Sequence, residues 1–507
     1  MIGADGRRSA RRSVQGGMIA VALGTLLLAV GCGGGEEAEA AAASPQHDQH
    51  DGVHVPGQGP RLSVDRPRDT LNIAGGGTAA PYNYAPSVMT DGATTRMWWC
   101  SQLPDTGPPG DDILYAQAPG IDGPYGSNGV AATAALSGSG GTAFDAKHTC
   151  DPSVVRVGGT YYMYYTGAAG DKAHGNAIGM AKSTDGMTWQ RNGGPIVRPS
   201  LGNDGQNTYG AGQPSALYLD GWFYLLYTDT SSRSAGDNGA GQFVLRAKDP
   251  TFTEQVQMLT GSGFTDKGML APGNEKNLVD AFSADWMFSD ALDAFALAHE
   301  TKHGTEITFF DRDLRSQPYQ PVLLTGPWQE GPGLARRGDG HAPVSTTDPC
   351  SRVPLDVVRA TVTPNAPSNL SHFGLDVTGV HGCASPGRAL GLLRGYGVLS
   401  PQRTVYLVVD GGIVRVERRS VAEALALGVL DTRVSALDGA PMLADLAPAA
   451  PGITATGRPL GLMLSDGKLW PVGKDELARL NSSPVQTVSP DRWDVYPSGS
   501  DLSRLRG

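Results

Sequence analysis

The stretch Asp151-Pro152-Ser153-Val154, followed by Tyr161-Tyr162-Met163-Tyr164-Tyr165, is the part of the sequence that most clearly indicates the fold. A turn joins its Pro-Ser segment to a run of alternating aromatic and aliphatic residues. Short runs of this composition between turn residues predict β-strands. Because the pattern also occurs elsewhere in the chain, it bears on the architecture of a larger region.

The same pattern returns at a similar spacing on both sides of this stretch, at Ala85-Pro86-Ser87-Val88 and at Gln213-Pro214-Ser215-Ala216. A turn, an aromatic strand and a third strand follow in each unit. A weaker fourth unit begins near Asp280, and Leu355–Arg359 and Phe373–Val377 suggest strands of a fifth. Repeated groups of short strands predict small antiparallel sheets arranged around one axis, as in a β-propeller. A β-sandwich with accidental similarity is the alternative.

Composition and charge are consistent with a turn-rich folded protein. Gly and Pro make up more than a fifth of the 507 residues, and 40% of the residues are hydrophobic. The formal net charge is -10, and the only cluster of basic residues is Arg7, Arg8, Arg11 and Arg12. A polyanion such as nucleic acid is therefore a poor partner, and a neutral or weakly charged partner is favoured.

The N-terminus has the features of an export signal, predicted to span residues 1–31. The four arginines precede a short apolar run, Met18–Val30, which is too short for an ordinary membrane span. Ala29-Val30-Gly31-Cys32 resembles a bacterial lipobox, so Cys32 is predicted to carry lipid and to anchor the protein to a membrane. Gly33 after this cysteine favours the outer membrane in a host with two membranes, with the protein in the cell envelope, outside the cytoplasm. An ordinary secretory signal with an incidental cysteine is the alternative.

Three further regions follow the predicted signal. Residues 32–69 are rich in Gly, Ala, Glu, Pro and His, and are predicted to form a flexible tether. Residues 70–384 contain the repeats and form the predicted propeller. Residues 388–503 contain two strand-turn-strand patterns with Asp-Gly turns, each followed by a short helix, and are predicted to form a small C-terminal hairpin-repeat accessory domain. Attachment to a partner and simple packing against the propeller are equally open roles for it.

Four cysteines remain after Cys32, and an oxidising compartment favours disulfides. We predict Cys100 with Cys150 and Cys350 with Cys383, because sequence neighbours often pair in repeat architectures. Free buried thiols are the alternative. The chain has no CxxC spacing, so a zinc site is not predicted.

The segment Cys150–Val155 with Tyr161–Thr166, and Gln213-Pro214-Ser215 with Tyr224–Asp229, resemble the five-bladed β-propeller glycosidases, whose best-known group is glycoside hydrolase family 43. The resemblance covers about residues 75 to 380. It implies an all-β, five-bladed β-propeller with carboxylates around a central funnel. In these enzymes one carboxylate activates water, a second protonates the leaving oxygen and a third orients it.

The resemblance implies candidate residues for these roles. Asp151 is the candidate base, Asp280 is the candidate orienting carboxylate with Asp285 close behind, and Glu330, in Gln329-Glu330-Gly331-Pro332, is the candidate acid. Glu300 is the rival acid. Trp98, His148 and Gln213 are expected to line the sugar site. No cofactor is expected, although a structural calcium ion is compatible with the family.

One position departs from the family pattern: the place where the first blade carries the catalytic base looks like Ala85 here, and alanine cannot accept a proton. Two functions therefore remain. The first is a glycoside hydrolase acting on extracellular polysaccharide or oligosaccharide, with arabinose- or xylose-type sugars as candidates. The second is a lipid-anchored carbohydrate-binding propeller without turnover. Each acidic candidate also has a structural alternative, in which it caps a turn or bonds backbone amides.

Overall fold

The described chain is built almost entirely from β-strands. The computed structural model describes residues 52–74, 82–92, 94–103, 106–126, 132–170, 174–201, 209–236, 240–361, 369–473 and 475–505. Within these ranges, the α-helices are short and few compared with the strands. The all-β class predicted from the sequence is confirmed.

The repeat region contains twenty-one strands. Strands β1 to β5 are Ser63–Ala74, Tyr84–Asp91, Thr94–Ser101, Asp112–Ala118 and Thr133–Leu136. Strands β6 to β9 are His148–Val157, Thr160–Ala168, Ala177–Ser183 and Gln190–Arg191. Strands β10 to β14 are Ala211–Leu219, Trp222–Asp229, Gln242–Ala247, Gln257–Thr260 and Gly263–Asp266. Strands β15 to β18 are Ala284–Ser289, Ala294–Thr301, Gly304–Phe310 and Val322–Leu324, and β19 to β21 are Gly333–Arg336, Arg352–Ala360 and Leu370–Thr378.

These strands form small antiparallel sheets in chain order. Separate sheets contain β6 to β9, β10 to β14 and β15 to β18. A fourth, eight-stranded sheet has the order β1-β21-β20-β19-β2-β3-β4-β5, in which β19 and β2 pair in parallel through Ala335 and Val88. The beginning and the end of the repeat region therefore meet in one sheet.

The strands fall into five consecutive groups, β2 to β5, β6 to β9, β10 to β14, β15 to β18, and β19 to β21. The first strand of each group is here called an inner strand. Hydrogen bonds join each inner strand to the next one. The serine of each Pro-Ser repeat, or Asp285 in the fourth group, accepts a hydrogen bond from the following inner strand. The pairs are Ser87 Oγ with Val154 N (3.0 Å), Ser153 Oγ with Ala216 N (2.8 Å), Ser215 Oγ with Trp286 N (3.2 Å) and Asp285 Oδ2 with Leu334 N (2.7 Å). Together with the β19–β2 pairing, these bonds connect the five inner strands in a closed sequence of contacts.

Arg336 fills the space between the inner strands. The side chain is buried, and its guanidinium donates to Ser153 Oγ (2.9 Å), Ser215 Oγ (3.2 Å) and the Trp286 carbonyl oxygen (2.6 Å). An ion pair with Asp285 (3.1 Å) neutralises its charge. A buried charge with this many partners fixes the relative positions of the strands that surround it.

The turn after β19, residues 337–341, covers the C-terminal ends of three inner strands. Its carbonyl oxygens accept hydrogen bonds from Arg156 N (at Gly338, 2.6 Å), Tyr218 N (at Asp339, 2.8 Å) and Phe288 N (at Gly340, 3.2 Å). This turn closes one end of the space between the inner strands. The opposite end, where the inner strands begin, is the end that carries the candidate site.

The sheet begins earlier than the sequence suggests. Strand β1 starts at Ser63, inside the segment predicted as a flexible tether, and pairs with β21. Before it, Gly52 N donates to the Glu300 carbonyl oxygen (2.8 Å) and Val53 N to that of Asp280 (3.0 Å). The side chains of β1 are mostly exposed, so the strand lacks the alternating apolar pattern that makes a strand visible in sequence.

Two further sheets follow the repeat region. Their elements are α1 (Pro386–Leu392), β22 (Gly397–Leu399), β23 (Val405–Val409), β24 (Gly412–Val416), α2 (Arg419–Leu425), β25 (Val429–Leu430), β26 (Met442–Leu446), β27 (Gly452–Ala455), β28 (Arg458–Met463), β29 (Leu469–Pro471), α3 (Asp475–Asn481), β30 (Val485–Thr487) and α4 (Pro490–Asp494). Asp410-Gly411 and Asp466-Gly467 lie in the two expected hairpin turns. Leu393 and Val408 share a hydrophobic cluster with Met287 and Leu375, so the first of these sheets packs against the repeat region.

Both predicted disulfides are present. Cys100 on β3 is bonded to Cys150 on β6, and Cys350 is bonded to Cys383. The predicted signal peptide and Cys32 lie outside the described residues. Across the part of the chain that the structure describes, no helix has the length and apolar character needed to span a membrane.

Candidate functional site

The three clear repeats share a backbone irregularity near the start of the inner strand. Ala85, Asp151 and Gln213 have φ angles of 45°, 48° and 50°, and the strand register shifts at each of them. A positive φ costs free energy at a non-glycine residue. Because it recurs at the same position of each repeat, this conformation is a regular part of the repeated unit. These bulges re-aim the side chain that precedes each proline.

The equivalent position in the fourth group is Ser283, not Asp280 as the sequence alignment predicted. Asp285 takes the place of the repeat serines, and the position equivalent to Ala85, Asp151 and Gln213 lies two residues before it. The loop before β15 has no strand pattern to fix the alignment, which explains the error of three residues. In the fifth group the equivalent residue is Gly331 (φ 55°), where a Cβ atom would lie only 2.9 Å from Ala85 Cα.

The bulged positions meet the segment that contains Glu330. Ser283 Oγ donates a hydrogen bond to Gln213 Oε1 (3.0 Å), and Gln213 Nε2 donates to Glu330 Oε1 (3.4 Å). Gln213 thus links the third and fifth groups. Two of the residues proposed from the sequence, Gln213 and Glu330, are therefore in direct contact.

Asp151 is the only carboxylate among the five equivalent positions, Ala85, Asp151, Gln213, Ser283 and Gly331. Its side chain is buried, and the Tyr209 hydroxyl donates to its Oδ2 (3.4 Å). Burial raises the pKa of Asp151 to about 7, and the negative charge of Asp111 adds to the shift, while the hydroxyl groups of Thr166 and Tyr209 oppose it. Asp151 therefore exchanges its proton near neutral pH.

Glu330 is partly exposed and holds its proton more tightly than Asp151. Burial raises the pKa of Glu330 to about 8, with further contributions from the negative charges of Asp151 and Asp111. The amide of Gln213 opposes the shift. Because the two carboxyl groups interact, they titrate as a pair. A protonated acid beside an ionised base is the arrangement that glycosidic hydrolysis requires.

Asp111 was not predicted from the sequence. It immediately precedes β4 and accepts a hydrogen bond from the Tyr82 hydroxyl, and its Oδ2 lies 3.0 Å from Nδ1 of His148. Its backbone carbonyl also accepts from Thr149 N (3.0 Å), which fixes the β4 end to β6. Asp111 belongs to no repeat, so only the Gly110-Asp111-Asp112 sequence before a strand could have drawn attention to it.

The other predicted site residues have different surroundings. Asp285 bonds Ser215, Leu334 and Arg336 between the inner strands. Both carboxylate oxygens of Glu300 lie within hydrogen-bond distance of the Thr305 hydroxyl (3.0 and 2.9 Å), and Glu300 lies 4.0 Å from Arg359. Burial raises the pKa of Glu300 to about 7. None of its contacts among the described residues involves Asp151 or Glu330.

Trp98 does not line an open sugar site, contrary to the sequence prediction. Its side chain is 0% exposed and packs against Tyr115, Tyr161 and Trp189. The indole Nε1 donates to the Gly186 carbonyl oxygen (2.9 Å). An indole that is buried on both faces cannot stack on a sugar ring, so Trp98 is a core residue that joins the first and second groups.

One group of side chains has the spacing of a metal site but not its chemistry. Potential ligand atoms of Cys100, Asp111 and Cys150 lie within 4.8 Å of one another. Both sulfur atoms belong to the disulfide, so neither is a thiolate that could bind a metal ion. Asp111 alone does not make a metal site.

Residues 146–340 match the model of the family described as glycosyl hydrolases family 43. This segment includes Asp151, Gln213 and Glu330 but not Ala85. No curated protein sequence matches the chain.

Three solved structures illustrate the structural neighbours. Zg3597, a family 117 glycoside hydrolase produced by the marine bacterium Zobellia galactanivorans, is 12% identical, with a TM-score of 0.41 over 64% of this chain and 92% of that one. The catalytic domain of the Coprinopsis cinerea GH62 α-L-arabinofuranosidase is 12% identical, with a TM-score of 0.40 over 62% and 98%. The Podospora anserina α-L-arabinofuranosidase, in complex with cellotriose, is 10% identical, with a TM-score of 0.40 over 62% and 98%. The family match includes the two interacting carboxyl groups, Asp151 and Glu330, and the chain is glycoside hydrolase-like.

Proposed function

We propose that this protein hydrolyses glycosidic bonds in an extracellular polysaccharide or oligosaccharide, with Glu330 as general acid and Asp151 as general base. The observation that carries the proposal is the pair of interacting carboxyl groups with pKa values raised to about 8 and about 7. Both lie in the segment that matches the glycosyl hydrolase model. Arabinose- and xylose-type sugars are the first substrates to test.

In the proposed reaction, Glu330 donates its proton to the oxygen atom of the leaving group. Asp151 removes a proton from the water molecule that attacks the anomeric carbon. The amide of Gln213 donates a hydrogen bond to Glu330, and the Tyr209 hydroxyl donates one to Asp151. Ala85 is not needed as a base in this scheme, since the family match begins at residue 146 and Asp151 lies just inside it.

We also propose that the repeat region is a five-bladed β-propeller. The blades are β2 to β5, β6 to β9, β10 to β14, β15 to β18, and β19 to β21 completed by β1. The sequence of hydrogen bonds from Ser87 to Leu334, with the β19–β2 pairing, supports one axis surrounded by the inner strands. Equivalent positions in successive blades then lie at equal radii, which would bring the bulged residues together.

The proposed location is the cell envelope, with Cys32 lipidated and the folded part outside the cytoplasm. The lipobox-like Ala29-Val30-Gly31-Cys32 and the short apolar segment before it support this proposal. An extracellular location agrees with the two disulfides, which persist in oxidising compartments.

One observation favours a second function, carbohydrate binding without turnover. Four of the five equivalent positions carry Ala85, Gln213, Ser283 and Gly331, none of which has a carboxyl group. A binding protein needs no more than one carboxylate, so this composition suits it. Substitution of the two candidate carboxyl groups distinguishes the two functions.

The test is a release assay on plant and microbial polysaccharides and on 4-nitrophenyl glycosides. We expect the wild-type protein to release sugar, and Asp151→Asn and Glu330→Gln each to lower kcat by about 100-fold or more. Asp313→Asn, at an exposed position, is the matched control and should retain full activity. If the wild-type protein releases nothing but binds sugar, the second function holds.

A further inference from the structure

The side chains of Asp111 and His148 form a pair beside the candidate acid and base. His148 Nδ1 lies 3.0 Å from Asp111 Oδ2 and 3.1 Å from the Asp111 backbone nitrogen. The Tyr82 hydroxyl donates to the other carboxylate oxygen, Oδ1. The imidazole ring is thereby fixed at one nitrogen, as in other sites where a carboxylate orients a histidine.

This pair lies next to Asp151. His148 and Asp151 are three residues apart on β6, and Asp111 lies within 4.8 Å of the sulfur of Cys150, the residue before Asp151. Tyr84 is packed among the same groups, with its hydroxyl 2.9 Å from that sulfur. The negative charge of Asp111 raises the pKa values of both Asp151 and Glu330.

The second ring nitrogen of His148 is unused. Nε2 is buried and has no hydrogen-bond partner among the described residues. The side chain as a whole keeps 19% of its surface exposed. Buried polar atoms are nearly always paired, and leaving one unpaired costs free energy. A ligand hydroxyl group that reaches Nε2 would supply the missing hydrogen-bond partner.

We propose that Asp111 and His148 form a substrate-binding dyad, in which Nε2 of His148 pairs with a hydroxyl group of the sugar that occupies the site of Asp151 and Glu330. This inference rests on the proposed function and specifies how the same site recognises its sugar. A sugar hydroxyl both donates and accepts hydrogen bonds, so it pairs with Nε2 whether the imidazole is neutral or protonated. Asp111 acts through His148 as a positioning residue.

Two conservative variants separate this role from a structural one. The amide of His148→Asn reaches the place of Nδ1, so it keeps the contact with Asp111 and loses the group at Nε2. The amide of His148→Gln reaches the place of Nε2 and loses the contact with Asp111. The exposed residue His303 provides the matched control, His303→Asn.

We expect His148→Asn to lower kcat/KM by about 10- to 100-fold, which is the usual effect of losing one hydrogen bond to a substrate. His148→Gln should retain more of the activity than His148→Asn, and His303→Asn should match the wild type. Melting temperatures should agree within a few degrees. The opposite ranking, with His148→Gln the weaker of the two, would mean that His148 serves only to hold Asp111, and would overturn the proposal.

Binding measurements keep this test independent of turnover. Calorimetric titration of arabinose and xylose into each protein should show weaker affinity in His148→Asn than in His148→Gln. A wild-type protein that hydrolyses nothing but shows this ranking would contradict the proposed function and support the dyad. Equal affinities in all variants, or no binding of either sugar by the wild type, would overturn the dyad.

Discussion

Asp285 and Arg336 form an ion pair, with 3.1 Å between Oδ1 and Nη1, where the inner strands of four groups meet. Asp285 stands where the first three repeats have serine, and its second oxygen accepts from Leu334 N. The sequence pointed to Asp285 as a candidate near the catalytic carboxylates. Its contacts instead predict a role in holding the sheets together.

Asp285→Ala should therefore destabilise the protein, by about 3–5 kcal/mol, because it leaves the buried guanidinium of Arg336 unpaired. Urea unfolding followed by tryptophan fluorescence measures the change. Asp313→Ala, at an exposed position, should change stability by less than about 0.5 kcal/mol. An Asp285→Ala protein of wild-type stability and lowered activity would instead assign Asp285 to the chemistry.

The raised pKa of Glu330 predicts how stability depends on pH. A carboxyl group that binds its proton more tightly in the folded state stabilises that state below its unfolded pKa of about 4.3. This contribution is lost as the pH rises through the folded value of about 8. Glu330→Gln cannot ionise, so it should become more stable than the wild type by at least about 1 kcal/mol at pH 9 and show little difference at pH 4. Unfolding of both proteins at the two pH values measures the difference, and a constant difference would show that the pKa of Glu330 is not raised.

Trp98 provides a test of a buried aromatic residue that was expected to contact sugar. Trp98→Phe removes the hydrogen bond to Gly186 and part of the packing against Tyr161, so it should lower stability by about 1–3 kcal/mol. KM should stay within about twofold of the wild type, since the side chain has no exposed surface. Chemical unfolding and kinetics on one aryl glycoside check both expectations. A large rise in KM at unchanged stability would restore the sugar-binding role.

Cys32→Ser tests the predicted lipid anchor in cells. The variant should appear in the soluble fraction or the medium, because serine cannot carry the thioether-linked lipid that the lipobox-like sequence predicts. Fractionation and immunoblotting of wild-type and variant cells measure the change, with Asp313→Asn as a control outside the signal. An unchanged membrane fraction for Cys32→Ser would contradict the prediction.

The repeated Pro-Ser pattern predicted much of the fold because each serine accepts the same hydrogen bond. Ser87, Ser153 and Ser215 each bond the next inner strand, and the aromatic strands after them pack between sheets. The same regularity located Asp151 and paired Cys100 with Cys150. The sequence pattern was therefore sufficient to predict the fold in the region where one structural unit repeats.

Features that depend on contacts distant in sequence were not predictable in the same way. Asp111 reaches the site from the end of a β3–β4 connection, and its partners Tyr82 and His148 lie far from it along the chain. Ser283 was missed because the preceding loop differs in length from its counterparts. Trp98 was misassigned because an aromatic strand residue looks the same in sequence whether it faces a ligand or another sheet.

Because β1 pairs with β21, the repeat region can complete its fold only after both strands are present. Ser63 and Thr378 are register partners at opposite ends of the repeat region, and nearly all of the intervening chain must exist before they can meet. If the protein is exported N-terminus first, β1 emerges early and waits for β21 with its backbone unpaired. The side chains of β1 are mostly polar, which discourages this unpaired strand from pairing with other chains. Contacts of such long sequence separation form slowly, so we expect this final pairing to limit the rate of folding.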